Sequence, residues 1–151
     1  MPSFRTTRKV RHSAADMFAL VADVEAYPQF VPLCLDLRIR RQTESAGATI
    51  KIAEMTVGYK AIRECFTTRV ACDPNTLQIL VEYVDGPFRR LENRWTFRDA
   101  GPGASTIEFE ISYEFRSRAL SLLMGGMFDK AFRKFAEAFE RRADIVYGGV
   151  S

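Results

Sequence analysis

Few residues in this chain could carry reaction chemistry. Its single histidine, His12, lies between Arg11 and Ser13, so a Ser-His-Asp or Cys-His arrangement, or a histidine-based zinc site, would have to be built on one ring. Those neighbours point to a surface or helix-capping position instead. Cys34, Cys65 and Cys72 show no C-x-x-C spacing and are odd in number, so three free thiols in a reducing compartment are expected. No glycine-rich phosphate loop and no metal-ligand spacing occurs. The remaining acid-base candidates are Glu54, Glu64, Tyr59, Tyr83 and Tyr113. A strand-borne carboxylate facing an apolar interior has a raised pKa and can take up a proton. Glu64 falls beside the inward positions Ile62 and Phe66, but Arg63 and Arg69 are at hand as surface partners. No catalytic residue, metal or cofactor is therefore assigned, and a function without catalysis is expected.

The chain is richer in groups that hold an apolar ligand. Of its 151 residues 47% are hydrophobic and 12% aromatic. Phe66, Ile79 and Val81 fall on inward strand positions. Trp95 and Phe97 share a strand face with Leu91, and Phe109, Ile111 and Tyr113 share another. On a long C-terminal helix Met124, Met127, Phe128 and Phe132 recur at helical spacing. Such residues can fill a core or line a cavity; methionine suits a wall that adapts to its contents. Gly125-Gly126, beside those methionines, is expected to break or hinge the helix and to mark the entrance. In Asp85-Gly86-Pro87-Phe88-Arg89-Arg90, the Gly-Pro pair signals a turn. Phe88 is expected at the cavity mouth or a membrane interface, with Arg89 and Arg90 facing anionic headgroups at about 1 kcal/mol each. Tyr27, Phe30 and Val31 form a second part of that rim.

The elements that must position these residues follow from hydrophobic period. Phe4 to Arg11 reads as a strand. Ser13 and Asp16 have capping-box spacing ahead of the stripe Met17, Phe18, Leu20, Val21 and Val24. Pro28 and Pro32 confine Tyr27 to Leu33 to a turn or one helical turn. Leu35, Leu37 and Ile39 alternate with charged residues, and Ala48 to Val57 alternates again after a turn at Gly47. Gly58 separates that strand from Tyr59–Cys72, and Thr76–Val84 and Arg90–Arg98 follow. Ile107, Phe109, Ile111, Tyr113 and Phe115 then oppose Glu108, Glu110, Ser112, Glu114 and Arg116, giving a strand dry on one face and wet on the other. From Ser117 to Tyr147 the period is helical, until Gly148-Gly149 ends the helix.

The expected fold is α+β: one domain over residues 1–151, with a curved antiparallel sheet of about six or seven strands wrapped round a C-terminal helix about 42 Å long at 1.5 Å per residue. One helix cannot fill a wide curved sheet, so a cavity is expected between them. With 22 basic and 19 acidic residues interleaved, the net charge of +3 gives mild attraction to anionic surfaces and no DNA-binding signature. No apolar run reaches the ~18 to 20 residues of a membrane span, and the start MPSFRTTRKVRH lacks a secretory signal, so a cytoplasmic protein is expected.

Three runs, FALVADVEAYPQFVPLC (Phe18 to Cys34), DGPFRRLENRWTF (Asp85 to Phe97) and AFERRADIVYG (Ala138 to Gly148), resemble the coenzyme Q-binding, START-like family. That family is also labelled polyketide cyclase/dehydrase and includes the bacterial ribosome-association toxin A proteins. The resemblance covers nearly the whole chain in order. It implies a helix-grip fold whose cavity holds a polyprenyl quinone, most simply ubiquinone, as a bound ligand that supports respiration. The tips at Tyr27, Phe30, Arg89 and Arg90 are expected to give peripheral contact with an anionic membrane, the inner membrane for a bacterial protein. The start directly at a strand, with no Arg- and Ser-rich leader, resembles the bacterial members. Two other functions are open through the same resemblance: ribosome binding, and aromatase or cyclase action on a polyketide-like substrate.

Overall fold

A computed structural model describes residues 3–148. The chain opens with β1 (Ser3–Val10) and α1 (Ala14–Ala22), then a short 3-10 segment at Val24–Gln29. Six strands follow in a meander: β2 (Cys34–Ser45), β3 (Ala48–Tyr59), β4 (Ile62–Asp73), β5 (Gln78–Asp85), β6 (Phe88–Asp99) and β7 (Ser105–Phe115). The last element is α2 (Arg118–Val146), and the expected Gly149 lies outside the described residues. All neighbours pair antiparallel in the order β1-β7-β6-β5-β4-β3-β2, so β1 returns beside β7 and the sheet has seven strands.

Local chemistry accounts for the elements. The Ser13 hydroxyl accepts the Asp16 amide at 3.1 Å, capping α1 as its spacing predicts. Every second residue of β7 is buried, from Ser105 to Phe115, which sets its register against β6 and β1. Register shifts at Cys34/Asp36, Ile39/Arg41, Thr67/Thr68 and Phe88/Arg90 each add a local bend, and the long strands need such bends to curve around a helix.

Four expectations need correction. Leu35 does not share the inward face of Leu37, because the shift at Cys34/Asp36 turns it outward, where it is 46% exposed over the side of Gly58. Gly58 does not end a strand; β3 runs through it to Tyr59, and a side chain there would meet Leu35. Gly125-Gly126 does not break α2, which continues as regular helix through both. His12 is neither a surface group nor a cap. It is buried with its Nε2 2.6 Å from Asp144 Oδ1, tying the last turns of α2 to the end of β1.

Gly86 has a backbone φ of +142°, and a Cβ there would lie 2.4 Å from the Cβ of Phe66. Gly86→Ala should therefore lower the urea midpoint by an amount equivalent to about 2 kcal/mol or more. Gly126 has open space where a Cβ would be, so Gly126→Ala should raise stability by about 0.5–1 kcal/mol. Equal effects of the two substitutions would contradict this account of the β5–β6 turn.

Candidate functional site

The rings of α2 meet the sheet along one side. Phe128 packs on Phe88 and Phe115 at centroid distances of 5.5 and 5.7 Å, Phe132 on Tyr113 at 5.1 Å, and Phe139 on Trp95 at 5.1 Å. The helix thus lies chiefly over β7 and β1 and against α1. Between it and the remaining strands a cavity of about 80 Å³ is left. Ala53, Met55 and Val57 of β3 and Phe66, Thr68 and Val70 of β4 form its floor. Val81, Leu91, Trp95 and Ile111 continue the wall, α2 closes it with Phe128, Phe132, Phe135 and Phe139, and Tyr27, Pro32 and Leu33 form the remaining side.

This interior holds its polar groups in fixed, neutral arrangements. Asn93 is committed at both ends of its amide: Nδ2 donates to the Glu110 carbonyl at 2.8 Å and Oδ1 accepts the Trp95 indole N–H at 2.9 Å. The Tyr27 hydroxyl donates to the Val21 carbonyl at 2.5 Å. Its pKa is raised well above the ordinary value, first by burial and then by the nearby Cys72, Cys34 and Asp23. With the Tyr27 proton committed to Val21, the Thr68 hydroxyl is the side-chain donor that the described cavity lining leaves for a ligand.

Of the residues expected to touch ligand, Phe66, Val81, Trp95, Ile111, Phe128 and Phe132 do line the cavity. The others do not, each for a packing reason. Ile79 and Phe97 lie at the end of the sheet that α1 covers, Phe97 edge-on to Phe18 at 5.9 Å. Phe109 is wholly buried among Phe4, Trp95 and Phe135. Tyr113 is enclosed beneath α2 and Met124 is fully buried on α2 itself, while Met127 faces a separate surface groove.

The expected rim is also altered. Phe88 is 2% exposed and serves as a hub for the rings of Phe66, Tyr83, Tyr113, Phe115 and Phe128, so it anchors the wall and cannot form a surface tip. Tyr27 is a wall residue. Phe30 is half-buried against Phe139 with the Arg142 guanidinium over its ring. Arg89 and Arg90 are exposed, but both pair with Glu114, at 3.6 and 3.2 Å.

None of the five acid-base candidates lines the cavity. Glu54 is held on the outer face by Arg40, with contacts of 2.7 and 2.8 Å to its two oxygens. Tyr83 accepts the Phe88 amide, and burial raises its pKa and that of Tyr113, which keeps both phenols neutral. Glu64 and Tyr59 lie toward the β3–β4 turn. The residues missed by sequence reading had a legible signal: Ala53-Met55-Val57 and Phe66-Thr68-Val70 alternate, and Phe135 and Phe139 continue the helical stripe from Phe128.

The thiols give a direct check on this burial. Cys34 and Cys72 are buried, and burial is the leading cause that pushes each from an ordinary 9.0 up to about 11; Cys65 is exposed. One of the three thiols should therefore react quickly with an aromatic disulfide reagent in the native protein, and all three after denaturation. Because the fold favours the neutral thiols, their contribution to stability is full below about pH 9 and is lost as pH rises through about 11. Urea midpoints should fall across that window, and fall less when Cys34 and Cys72 are both alanine.

Comparison with known proteins agrees with this architecture. The ribosome association toxin RatA of Escherichia coli K12 is 36% identical over 97% of this chain and 90% of that protein. The mitochondrial coenzyme Q-binding protein coq10 of Schizosaccharomyces pombe is 27% identical over 94% of the chain and 87% of its own length. The solution structure of the 18 kDa protein CC1736 from Caulobacter crescentus superposes with a TM-score of 0.78 at 34% identity, covering 99% of this chain and all of that one. The Zhui aromatase/cyclase from Streptomyces superposes at 0.81 with 14% identity over 99% of both chains, a likeness of fold alone. With residues 10–140 matching the family pattern, the chain belongs to the family described as polyketide cyclase / dehydrase and lipid transport.

Proposed function

We propose that this protein binds and carries an elongated apolar molecule, a polyprenyl quinone such as ubiquinone, and makes it available for respiration without transforming it. The observation that carries the reading is the wall of the cavity. Aliphatic and aromatic side chains from six strands and α2 surround it, and the acid-base candidates all lie elsewhere. The Thr68 hydroxyl is suited to donate to a carbonyl or methoxy oxygen of a quinone ring, while the aromatic wall suits its faces. The name of the coq10 relative supports the same ligand class.

The cavity's size sets how loading must occur. At about 80 Å³ it is smaller than the ~150 Å³ space that accepts benzene, so the wall must yield to admit a substituted ring. The C-terminal half of α2 is held by polar contacts: Arg8 to Glu140 at 2.5 Å, His12 to Asp144, and Arg142 to Gln29 at 2.7 Å. The N-terminal half rests on apolar contacts, the rings of Phe128 and Phe132 with the buried Met124, and contains both glycines, so it is the part that moves aside. A cytoplasmic carrier with access to the inner membrane fits this mode of exchange.

A second reading, ribosome binding, is favoured by the higher identity of the RatA relatives. Mass spectrometry of an organic extract of protein purified from its native host should recover a quinone in near-stoichiometric amount. A short-tailed ubiquinone analogue should quench the emission of Trp95, the only tryptophan and a wall residue, in a saturable way. Phe109→Ala should cost the ~3–5 kcal/mol of a fully packed ring, whereas Phe132→Ala, at the wall, should cost less and weaken quinone binding more. An extract free of isoprenoids, unquenched Trp95 and salt-sensitive cosedimentation with ribosomal subunits would replace the first reading by the second.

A further inference from the structure

Among the described residues eight large apolar side chains are exposed, and five of them, Leu35, Tyr59, Val84, Leu122 and Leu123, gather at one end of the molecule. The pairing register places them there. Cys34 opposes Val57 and Tyr59 opposes Ile62, while the β5–β6 turn comes back against Phe66. The end of β7 and the start of α2 complete this end. Leu122 is 81% and Leu123 60% exposed, on the part of α2 held by apolar contacts.

The same end carries a basic groove of about 620 Å³ between the β3–β4 turn and α2. Leu123, Met127, Lys130 and Lys134 form one stripe of its helical wall at spacings of four, three and four, and Tyr59, Lys60 and Ile62 face them. The nearby acids on α2 are already engaged, Asp129 by Arg133 at 3.0 Å and Glu137 by Arg141 at 2.6 Å, so the groove lysines keep their charge for a partner. Lys60 extends over the Tyr59 ring at 5.3 Å. The groove backs onto the cavity, since Pro32, Leu33 and Ala131 line both and form a shared wall.

We propose that this end docks on an anionic lipid bilayer, with Leu122, Leu123 and Tyr59 entering the headgroup layer and Lys60, Lys130 and Lys134 contacting lipid phosphates. Exposed aliphatic side chains beside unpaired lysines match a surface that is apolar beneath and negative above. An RNA phosphate backbone would use the lysines and leave the leucines idle. Docking here turns the groove, and the wall it shares with the cavity, directly toward the lipid. The inference rests on the ligand-carrying reading for its purpose and on the surface for its geometry. It moves the contact away from Arg89 and Arg90, which share Glu114.

Flotation of the full chain with phosphatidylcholine vesicles, with and without phosphatidylglycerol, tests it. The protein should float with the anionic vesicles. Lys130→Gln with Lys134→Gln should lower partitioning about fivefold per lysine, an effect that shrinks with added salt. Leu122→Ser with Leu123→Ser should lower it about tenfold or more at any salt. Arg89→Gln with Arg90→Gln should change it little. All three pairs are exposed, so unchanged urea midpoints will confirm that each variant is folded. Failure of the wild type to float, or loss with the lysine pair alone together with loss of ribosomal-subunit binding, overturns the proposal. Quinone content read on the same samples separates the two ideas. Flotation without quinone removes the ligand reading and keeps the docking face, and quinone without flotation does the reverse.

Discussion

From Phe115 to Trp95, the rings of β6 and β7 meet those of α2 one after another, through Phe88 and Phe128, Tyr113 and Phe132, and Phe109 and Phe135, to Phe139. Edge-to-face packing of this kind favours particular ring positions, so the seam fixes both the height and the lateral position of the helix over the sheet. A helix some 10 Å wide that is committed to β7 and β1 cannot also cover β3, β4 and β5. The sheet's curvature brings those strands round toward the helix without closing the gap, and the cavity is what remains. The position of the cavity therefore follows from where the seam lies, and the aromatic hub at Phe88 supports its wall without facing it.

The chemistry of the interior follows from the same packing. Burial keeps Tyr27, Cys34 and Cys72 neutral, and Asn93 is saturated by the Trp95 indole and a β7 carbonyl. The cavity wall is thus apolar, and the tyrosine and thiol groups of this interior are held in their neutral forms. Lys51 and Arg8 turn inward, to the Ala22 carbonyl and to Glu140, while most charged residues of the strands are on the opposite face, in exposed pairs such as Arg40 with Glu54 and Arg69 with Glu82. Pairs of that kind contribute little to stability individually, and the sheet does not depend on them.

Much of this was legible in the chain because two periods are unusually clean. The alternation of β7 and the helical stripe after Ser117 predict a dry sheet face and a helix to cover it, and both are present. The misreadings share one physical cause: local pattern carries no information about what arrives from elsewhere in the chain. Leu35 alternates correctly with its neighbours, yet a bulge turns it outward. Phe88 stands beside turn residues and two arginines, yet five rings from other elements enclose it. His12 looks like a cap residue until Asp144, 132 positions later, comes to meet it. In the cavity wall, half of the residues expected were displaced because inward-facing does not distinguish the part of the sheet under α1 or under the seam from the part that α2 leaves open.

That asymmetry extends along α2 itself. Its C-terminal half is tied to three other elements through Arg8–Glu140, His12–Asp144 and Arg142–Gln29, and by Tyr147, whose hydroxyl donates to the Asp16 carbonyl at 2.9 Å. Separating those contacts would strand buried or charged partners, which is costly. The N-terminal half has ring contacts inward and leucines outward, and it contains two adjacent glycines with room for side chains they do not have. Moving it loses apolar contact only, a loss that an apolar ligand or a lipid surface can replace in kind. The same segment therefore forms the weakest wall of the cavity and the most apolar part of the surface, so the place where the molecule opens most easily is also where an apolar environment outside compensates for the opening.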